Sequence, residues 1–153
     1  MRLHIQLYFT LFLLPLISGK GKGKSYCPPK PACEEEQAAI WNEFVDVLYI
    51  QKNVSAAFLT YVDVNYIQHN PFALSGRQNA ISALTVIWPT VNFTIMHNGF
   101  SKNIGYLHYR QDTAGQYPEA ITDLLRFNGT CIMEHWDVIQ SWSPNYTNPL
   151  ALF

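Results

Sequence analysis

The sequence has few positive charges and no internal repeats. Lysine and arginine together number only 10 of 153 residues, and beyond Lys30 five basic side chains are outnumbered by eleven acidic ones, a formal charge of −6. Because phosphate contacts require clustered basic residues, this composition argues against nucleic acid as a partner.

The sequence also lacks an apolar run long enough to span a membrane. The run from Ile5 to Ile17 is shorter than the roughly 20 residues that a spanning helix needs. Arg2 precedes it, and the small residues Ser18 and Gly19 follow. We therefore expect residues 1–19 to be a cleaved signal peptide and the protein to be secreted, with no membrane partner after cleavage. The alternative is an uncleaved anchor.

Cysteine is scarce as well. Cys27 and Cys33 bracket Pro-Pro-Lys-Pro-Ala in a basic, proline-rich leader at residues 20–33. In an oxidising compartment these two are expected to form a disulfide. Cys131 would then be an inert buried thiol, since no Cys-His motif surrounds it that would make it a nucleophile.

What the sequence does contain is apolar and aromatic side chains, at 48% and 14% of residues. Residues 34–153 therefore form one folded domain with a substantial core. Apolar periodicity predicts helices at Glu34–Gln51, Val54–Val62 and Arg77–Ile87. Strands are predicted at Val64–His69, Phe93–His97, Gly105–Gln111, Ala120–Phe127 and Thr130–Gln140, with a hairpin turn at Asn128-Gly129. This order predicts an α+β domain with helices covering one face of a curved antiparallel sheet.

The last strand carries the most informative ionisable residues. Because side chains alternate along a strand, His135 and Asp137 share a face with Cys131, Met133 and Ile139. Both faces are mostly apolar, so this strand should be covered on both sides. His135 and Asp137 are then either a buried structural pair or the polar lining of a pocket.

Four Asn-X-Ser/Thr sequons occur, each at a predicted turn or at the end of an element. They predict N-glycosylation of a secreted protein on exposed loops, at Asn53, Asn92, Asn128 and Asn145.

Three ordered motifs carry a family resemblance. They are Asn65-Tyr66-Ile67-Gln68-His69-Asn70-Pro71 with Gly76 after it, Thr122-Asp123-Leu124-Leu125-Arg126-Phe127, and Glu134-His135-Trp136-Asp137-Val138-Ile139-Gln140. Together they resemble SnoaL-like proteins, the polyketide-cyclase branch of the nuclear transport factor 2-like (NTF2-like) superfamily. The resemblance is greatest to the SnoaL-like group named for catalysing aldol condensation. The terminal Asn148-Pro149 and Phe153 also resemble that group.

The resemblance implies a cone-shaped barrel, with three N-terminal helices packed on a strongly curved antiparallel sheet of the NTF2-like or cystatin-like kind. It also implies a deep pocket, no metal or organic cofactor, and a homodimer formed through the open sheet face. An acid on the last strand of SnoaL-like cyclases is the general base, and Asp137 occupies the matching position. His69 and His135 match polar pocket positions, and His108 and Asp123 are further matches.

These residues suit proton abstraction next to a carbonyl group. Asp137 would be the base, His135 would orient it or the substrate, and His69 would donate to the enolate oxygen. Apolar walls for a small hydrophobic carbonyl compound would come from Tyr66, Trp88 and Met133, with His108 and Asp123 as further binding candidates.

The chemistry above is that of a cofactor-independent lyase or isomerase, and the sequence is also compatible with three alternatives. The first is a non-catalytic protein that binds a small hydrophobic ligand in the same pocket. The second is a metal site built from His69, His108, His135 and an aspartate, although their spacing matches no metal signature. The third is a structural or partner-binding role.

Overall fold

A computed structural model describes residues 24–153, so the predicted signal peptide and the start of the leader lie outside the described residues. Within residues 24–153, no helix is both long and apolar enough to cross a membrane.

Three helices form one layer of the protein: α1 (Glu34–Val45), α2 (Val54–Tyr61) and α3 (Arg77–Ile87). The predicted bounds of α3 are confirmed. α1 ends earlier than predicted, because the chain passes into a wider π-helical turn at Asp46–Ile50. The apolar periodicity that predicts this helix corresponds to a buried stripe, since Trp41, Phe44 and Leu48 are all buried.

Five strands form the second layer in the order β1-β5-β4-β3-β2. Their bounds are β1 (Val62–Gln68), β2 (Val91–Ser101), β3 (Ile104–Thr113), β4 (Glu119–Asn128) and β5 (Cys131–Ser141). The last four pair as an antiparallel meander, whereas β1 runs parallel to β5. The sheet is therefore mixed rather than wholly antiparallel, because no tight turn joins β1 to its neighbour and fixes the direction of pairing. The α+β class with helices on a curved sheet is confirmed.

The helices pack against one face of the sheet, which we call the inner face. The core joins buried helical residues such as Trp41 and Phe58 to Leu107 on β3, Leu125 on β4 and Ile132 on β5. Because strand residues alternate, the opposite face of β3, β4 and β5 is left without a helical cover in the described part of the chain.

A β-bulge between β4 and β5 changes which β5 residues share a face. Arg126 pairs with Glu134 and the next β4 residue, Phe127, pairs with Ile132, so Met133 is an extra residue on β5. Ile132 therefore shares the inner face with His135. The prediction that Cys131 and Met133 lie on that face is wrong, because strict alternation breaks at the bulge.

The leader is held on the β4–β5 hairpin. The backbone N–H of Thr130 donates to the Lys30 carbonyl at 3.0 Å. Gly129 has a φ of 51°, and a Cβ at this position would come within 1.8 Å of the Lys30 carbonyl oxygen. Only glycine therefore fits where the leader crosses the hairpin.

This crossing decides the disulfide. Cys27 is bonded to Cys131, and Cys33 is an exposed free thiol, so the predicted Cys27–Cys33 pair and the free Cys131 are both wrong. The prolines between Cys27 and Cys33 favour extended backbone and carry Cys33 away to the start of α1. Meanwhile Cys27 lies beside the first residue of β5.

We expect Cys27→Ser to lower the free energy of unfolding by about 2–5 kcal/mol, because the bond closes a loop across a sequence separation of 104 residues. Cys33→Ser is the matched control and should change it by less than about 0.5 kcal/mol, since that thiol is exposed and free. Denaturant unfolding under non-reducing conditions gives both values. An equal loss in the two variants would instead favour pairing between Cys27 and Cys33.

Candidate functional site

A cavity of about 740 Å³ lies between the helices and the inner face of the sheet. Most of its lining is apolar or aromatic, including Phe44, Phe58, Tyr66 and Trp88. A volume of this size holds a small organic ligand. The placement of Tyr66 and Trp88 in its wall agrees with the sequence analysis.

Three ionisable side chains converge on this cavity. Asp123 comes from β4, and His135 and Asp137 come from β5. Asp123 and Asp137 are direct neighbours in the antiparallel ladder, and His135 is two residues before Asp137 on the same face. Because side chains alternate along β4 and β5, the His135 imidazole and the carboxylates of Asp123 and Asp137 lie on the same face.

Both ring nitrogens of His135 are engaged. Nε2 lies 3.2 Å from Asp123 Oδ1, and Nδ1 lies 2.8 Å from Gln68 Oε1. Gln68 Oε1 also accepts the backbone N–H of Asn70 at 3.1 Å, which identifies it as the carbonyl oxygen of the amide. Nδ1 must therefore donate to Gln68, while Nε2 faces the Asp123 carboxylate at ion-pair distance. A ring that carries a proton on both nitrogens, the imidazolium, suits both contacts.

The electrostatics agree with a charged ring. Burial lowers the pKa of His135, but the hydrogen bond to Asp123 and the charges of Asp123 and Asp137 outweigh burial, so the pKa is raised above its ordinary value of 6.5. His135 is thus protonated more readily than a free imidazole, and its two partners fix its position in the polar part of the cavity.

Asp123 is saturated by protein donors. It is 4% exposed, with Oδ1 facing His135 and Oδ2 accepting the hydroxyl proton of Tyr49. Burial raises the pKa of Tyr49 well above its usual range, and the charge of Asp123 raises it further. Tyr49 therefore stays a neutral donor, and Asp123 holds His135 in place.

Asp137 has a different environment. Its Oδ2 accepts from Asn70 Nδ2 at 2.6 Å, and its Oδ1 has no hydrogen-bond partner within residues 24–153. Asp137 is also only partly buried. Of the two carboxylates, Asp137 is the one with an oxygen free to meet a ligand.

Tyr66 offers a proton to the same space. Its hydroxyl oxygen accepts from Gln68 Nε2 at 3.4 Å, which leaves the O–H free to donate. Burial, followed by the charges of Asp123 and Asp137, raises the pKa of Tyr66. The phenol therefore keeps its proton and can serve as a hydrogen-bond donor.

His69 is not part of the cavity lining. Tyr66, Gln68 and Asn70 line it, so the alternating position His69 points the other way. The His69 ring stacks on Trp136 at 4.7 Å, and its Nε2 lies 2.8 Å from Glu134 Oε1. The predicted oxyanion role for His69 does not fit this position.

His108 and Met133 also lie outside the lining. His108 alternates with Tyr109, which does line the cavity, and its ring contacts His97 across β2 and β3 at 3.1 Å between the Nδ1 atoms. Met133 is displaced by the bulge on β5. The predicted substrate contacts of these two residues are therefore not formed.

Sequence reasoning missed Gln68 and Asn70. Both occur in the first of the three motifs, where the proline after Asn70 indicates only that a strand ends there. Their function depends on contact with β5, which β1 meets 67 residues further along the chain. No local pattern reports a contact over that separation.

A metal site remains geometrically open. Donor atoms of Asp123, His135 and Asp137 lie within 4.8 Å of one another. An imidazole and two carboxylates suit a divalent cation, but His135 would have to lose a proton that now makes a hydrogen bond. The predicted alternative with His69 and His108 is not assembled, since neither ring lines the cavity.

The four sequon asparagines, Asn53, Asn92, Asn128 and Asn145, are all exposed. Asn53 also caps α2 by accepting the backbone N–H of Ala56 at 3.1 Å. Glycosylation at these positions stays a prediction.

No protein-family model matches this sequence, and no curated protein matches it significantly. Solved structures do match it. An NTF2-like protein of unknown function from Mesorhizobium loti has a TM-score of 0.62 at 17% identity, over 73% of this chain and 98% of that one. A candidate ketosteroid isomerase from Kribbella flavida DSM 17836 has a TM-score of 0.61 at 10% identity, over 72% and 83% of the two chains. A candidate SnoaL-like polyketide cyclase from Jannaschia sp. CCS1 has a TM-score of 0.55 at 13% identity, over 67% and 87%.

At these identities the likeness shows the fold. The chain has the NTF2-like fold, and its predicted resemblance to SnoaL-like proteins is confirmed at that level.

We expect the free energy of unfolding to decrease as the pH rises through the folded-state pKa of His135. Because that pKa is raised above 6.5, the pairing with Asp123 contributes fully below about pH 6.5 and is lost at higher pH. Denaturant unfolding from about pH 5.5 to about pH 9 measures the decrease, and His135→Gln should flatten it. A parent profile as flat as that of the variant would contradict the imidazolium.

Proposed function

We propose that this protein is a cofactor-independent lyase or isomerase that removes a proton next to the carbonyl of a small hydrophobic compound. The observation that carries the proposal is the free Oδ1 of Asp137 in a mostly apolar cavity beside a fixed imidazolium. The NTF2-like fold, shared with a candidate isomerase and a candidate polyketide cyclase, supports the same class of chemistry.

Asp137 is the base in this proposal. Its Oδ1 takes the proton as the C–H bond breaks, and the electron pair moves into the carbonyl to give an enolate. Asn70 holds the other oxygen, Oδ2, and so fixes the direction in which Oδ1 points. An apolar wall excludes water that would otherwise compete for the carboxylate.

Tyr66 and His135 stabilise the enolate. The Tyr66 hydroxyl donates a hydrogen bond to the enolate oxygen in place of the predicted His69. The positive charge of His135 stabilises developing negative charge without transferring its own protons, which are held by Gln68 and Asp123. The enolate then either recovers the proton from Asp137 at another carbon or attacks a second carbonyl to close a ring. In the second case the new alkoxide oxygen takes the proton from Asp137, which restores the carboxylate.

The alternative is a non-catalytic binding protein that uses the same cavity. The observation that favours it is the saturation of His135 and Asp123 by protein partners, which is also typical of a structural pair. Asp137 and Tyr66 would then only orient a hydrophobic ligand.

Secretion, N-glycosylation and homodimerisation are part of the proposal.

Tyr106, Leu124 and Trp136 pair in register across β3, β4 and β5 and form an apolar row on the face away from the cavity. Such a row suits contact with a second copy of the chain. A monomer in light scattering would contradict the dimer.

We expect Asp137→Asn to reduce proton removal by about 10²- to 10⁴-fold with little loss of ligand affinity, because the amide keeps the shape but not the basicity. The measurement is deuterium exchange next to the carbonyl, followed by NMR over a panel of cyclic and long-chain ketones. EDTA should leave the parent rate unchanged. Ligand binding without exchange in either protein would favour the binding alternative, and loss of rate in EDTA would favour a metal.

We expect Tyr66→Phe to lower the exchange rate by about 10²- to 10³-fold, because one donor to the enolate oxygen is removed. His69→Gln is the matched control outside the cavity and should retain the parent rate. The same NMR assay compares them. The opposite ranking would restore the role that the sequence analysis assigned to His69.

A further inference from the structure

The opening of the cavity is bordered by exposed apolar side chains. Among residues that line the cavity, Phe72 is 96% exposed, Leu74 is 75% exposed, Ile87 is 43% exposed and Ile139 is 47% exposed. Val86 is 73% exposed and lies one helical turn after Ser82, another lining residue. We call these five residues, Phe72, Leu74, Val86, Ile87 and Ile139, the mouth rim.

The chain around the mouth rim is almost free of charge. Between His69 and Thr90 the only lysine, arginine, aspartate or glutamate is Arg77. Its guanidinium donates to the Val62 carbonyl at 2.9 Å and is thus tied to the fold. About 25–35% of the residues on a soluble protein surface are charged. The charged fraction of this stretch is far lower than that of a surface that contacts only water.

The position of the mouth rim limits what can cover it. A ligand must pass through the opening, and a protein partner seated there would block that path. A lipid surface would instead cover the apolar side chains and leave the opening in contact with an apolar phase. It would also be a source of hydrophobic ligand.

The charge distribution selects the kind of lipid. The mouth rim offers no cluster of basic residues, and the body of the protein beyond Lys30 has a formal charge of −6. The leader is basic, but Lys30 lies on the β4–β5 hairpin and not among the mouth-rim residues. Anionic headgroups would repel this body, whereas zwitterionic headgroups would not.

We propose that the mouth rim docks on a zwitterionic lipid surface and that the cavity takes its ligand from the lipid phase. The ligand class is then an apolar carbonyl compound that partitions into membranes, which rests on the function proposed above. The sequence analysis expected no membrane partner after signal cleavage. The proposed docking is instead a reversible membrane contact through side chains at the opening.

Co-flotation of the purified protein with phosphatidylcholine vesicles tests the docking. We expect the parent to float with the vesicles and the double variant Phe72→Ser, Leu74→Ser to partition about tenfold more weakly. The matched control is Val64→Ser, Leu150→Ser, whose side chains are 60% and 77% exposed but do not line the cavity. This control should float like the parent, and equal thermal unfolding of all three proteins would exclude misfolding.

Three outcomes would overturn the proposal: a parent that stays in solution, a control that loses as much binding as the rim variant, or binding that needs anionic lipid and disappears in salt. Because flotation uses the protein without substrate, its result is independent of turnover. Exchange of a dissolved ketone without flotation would remove the docking and leave the proposed function standing.

Discussion

The site depends on the contacts that Gln68 and Asp123 make with the two ring nitrogens of His135. They make the imidazole a cation, because each nitrogen faces an acceptor, and the neighbouring carboxylates outweigh the cost of burial. They also tie β1 to β5, two strands that meet in parallel at the edge of the meander. A positive charge held in this way is stabilising only while its partners stay in place.

The two aspartates have different roles, because their hydrogen-bond partners differ. Asp123 uses one oxygen for His135 and the other for Tyr49, so it is committed to the protein. Asp137 shares only one oxygen with Asn70 and keeps the other for the cavity. Asp123 and Asp137 are paired across one ladder. Their hydrogen-bond partners make Asp123 the residue that positions His135 and Asp137 the candidate base.

Much of this was accessible from the sequence. Period-2 alternation correctly placed His135 and Asp137 on one sheltered face, and the ordered motifs indicated the fold. Errors arose where alternation fails or where distant segments meet. The bulge at Met133 moved that side chain out of the lining. Tyr66 and His69 are an odd number of residues apart, so alternation puts them on opposite faces, and only Tyr66 lines the cavity.

By itself, the sequence determined the α+β class, the helical stripes and the ionisable residues of the last strand, since these follow from local periodicity and composition. Only the tertiary structure decided that Cys27 bonds Cys131, that Asn70 and Gln68 meet the last strand, and that Phe72 and Leu74 border the opening. The physical reason is the same in each case. Such contacts join segments far apart in the chain, and their partners are chosen by the packing of the whole domain rather than by neighbouring residues.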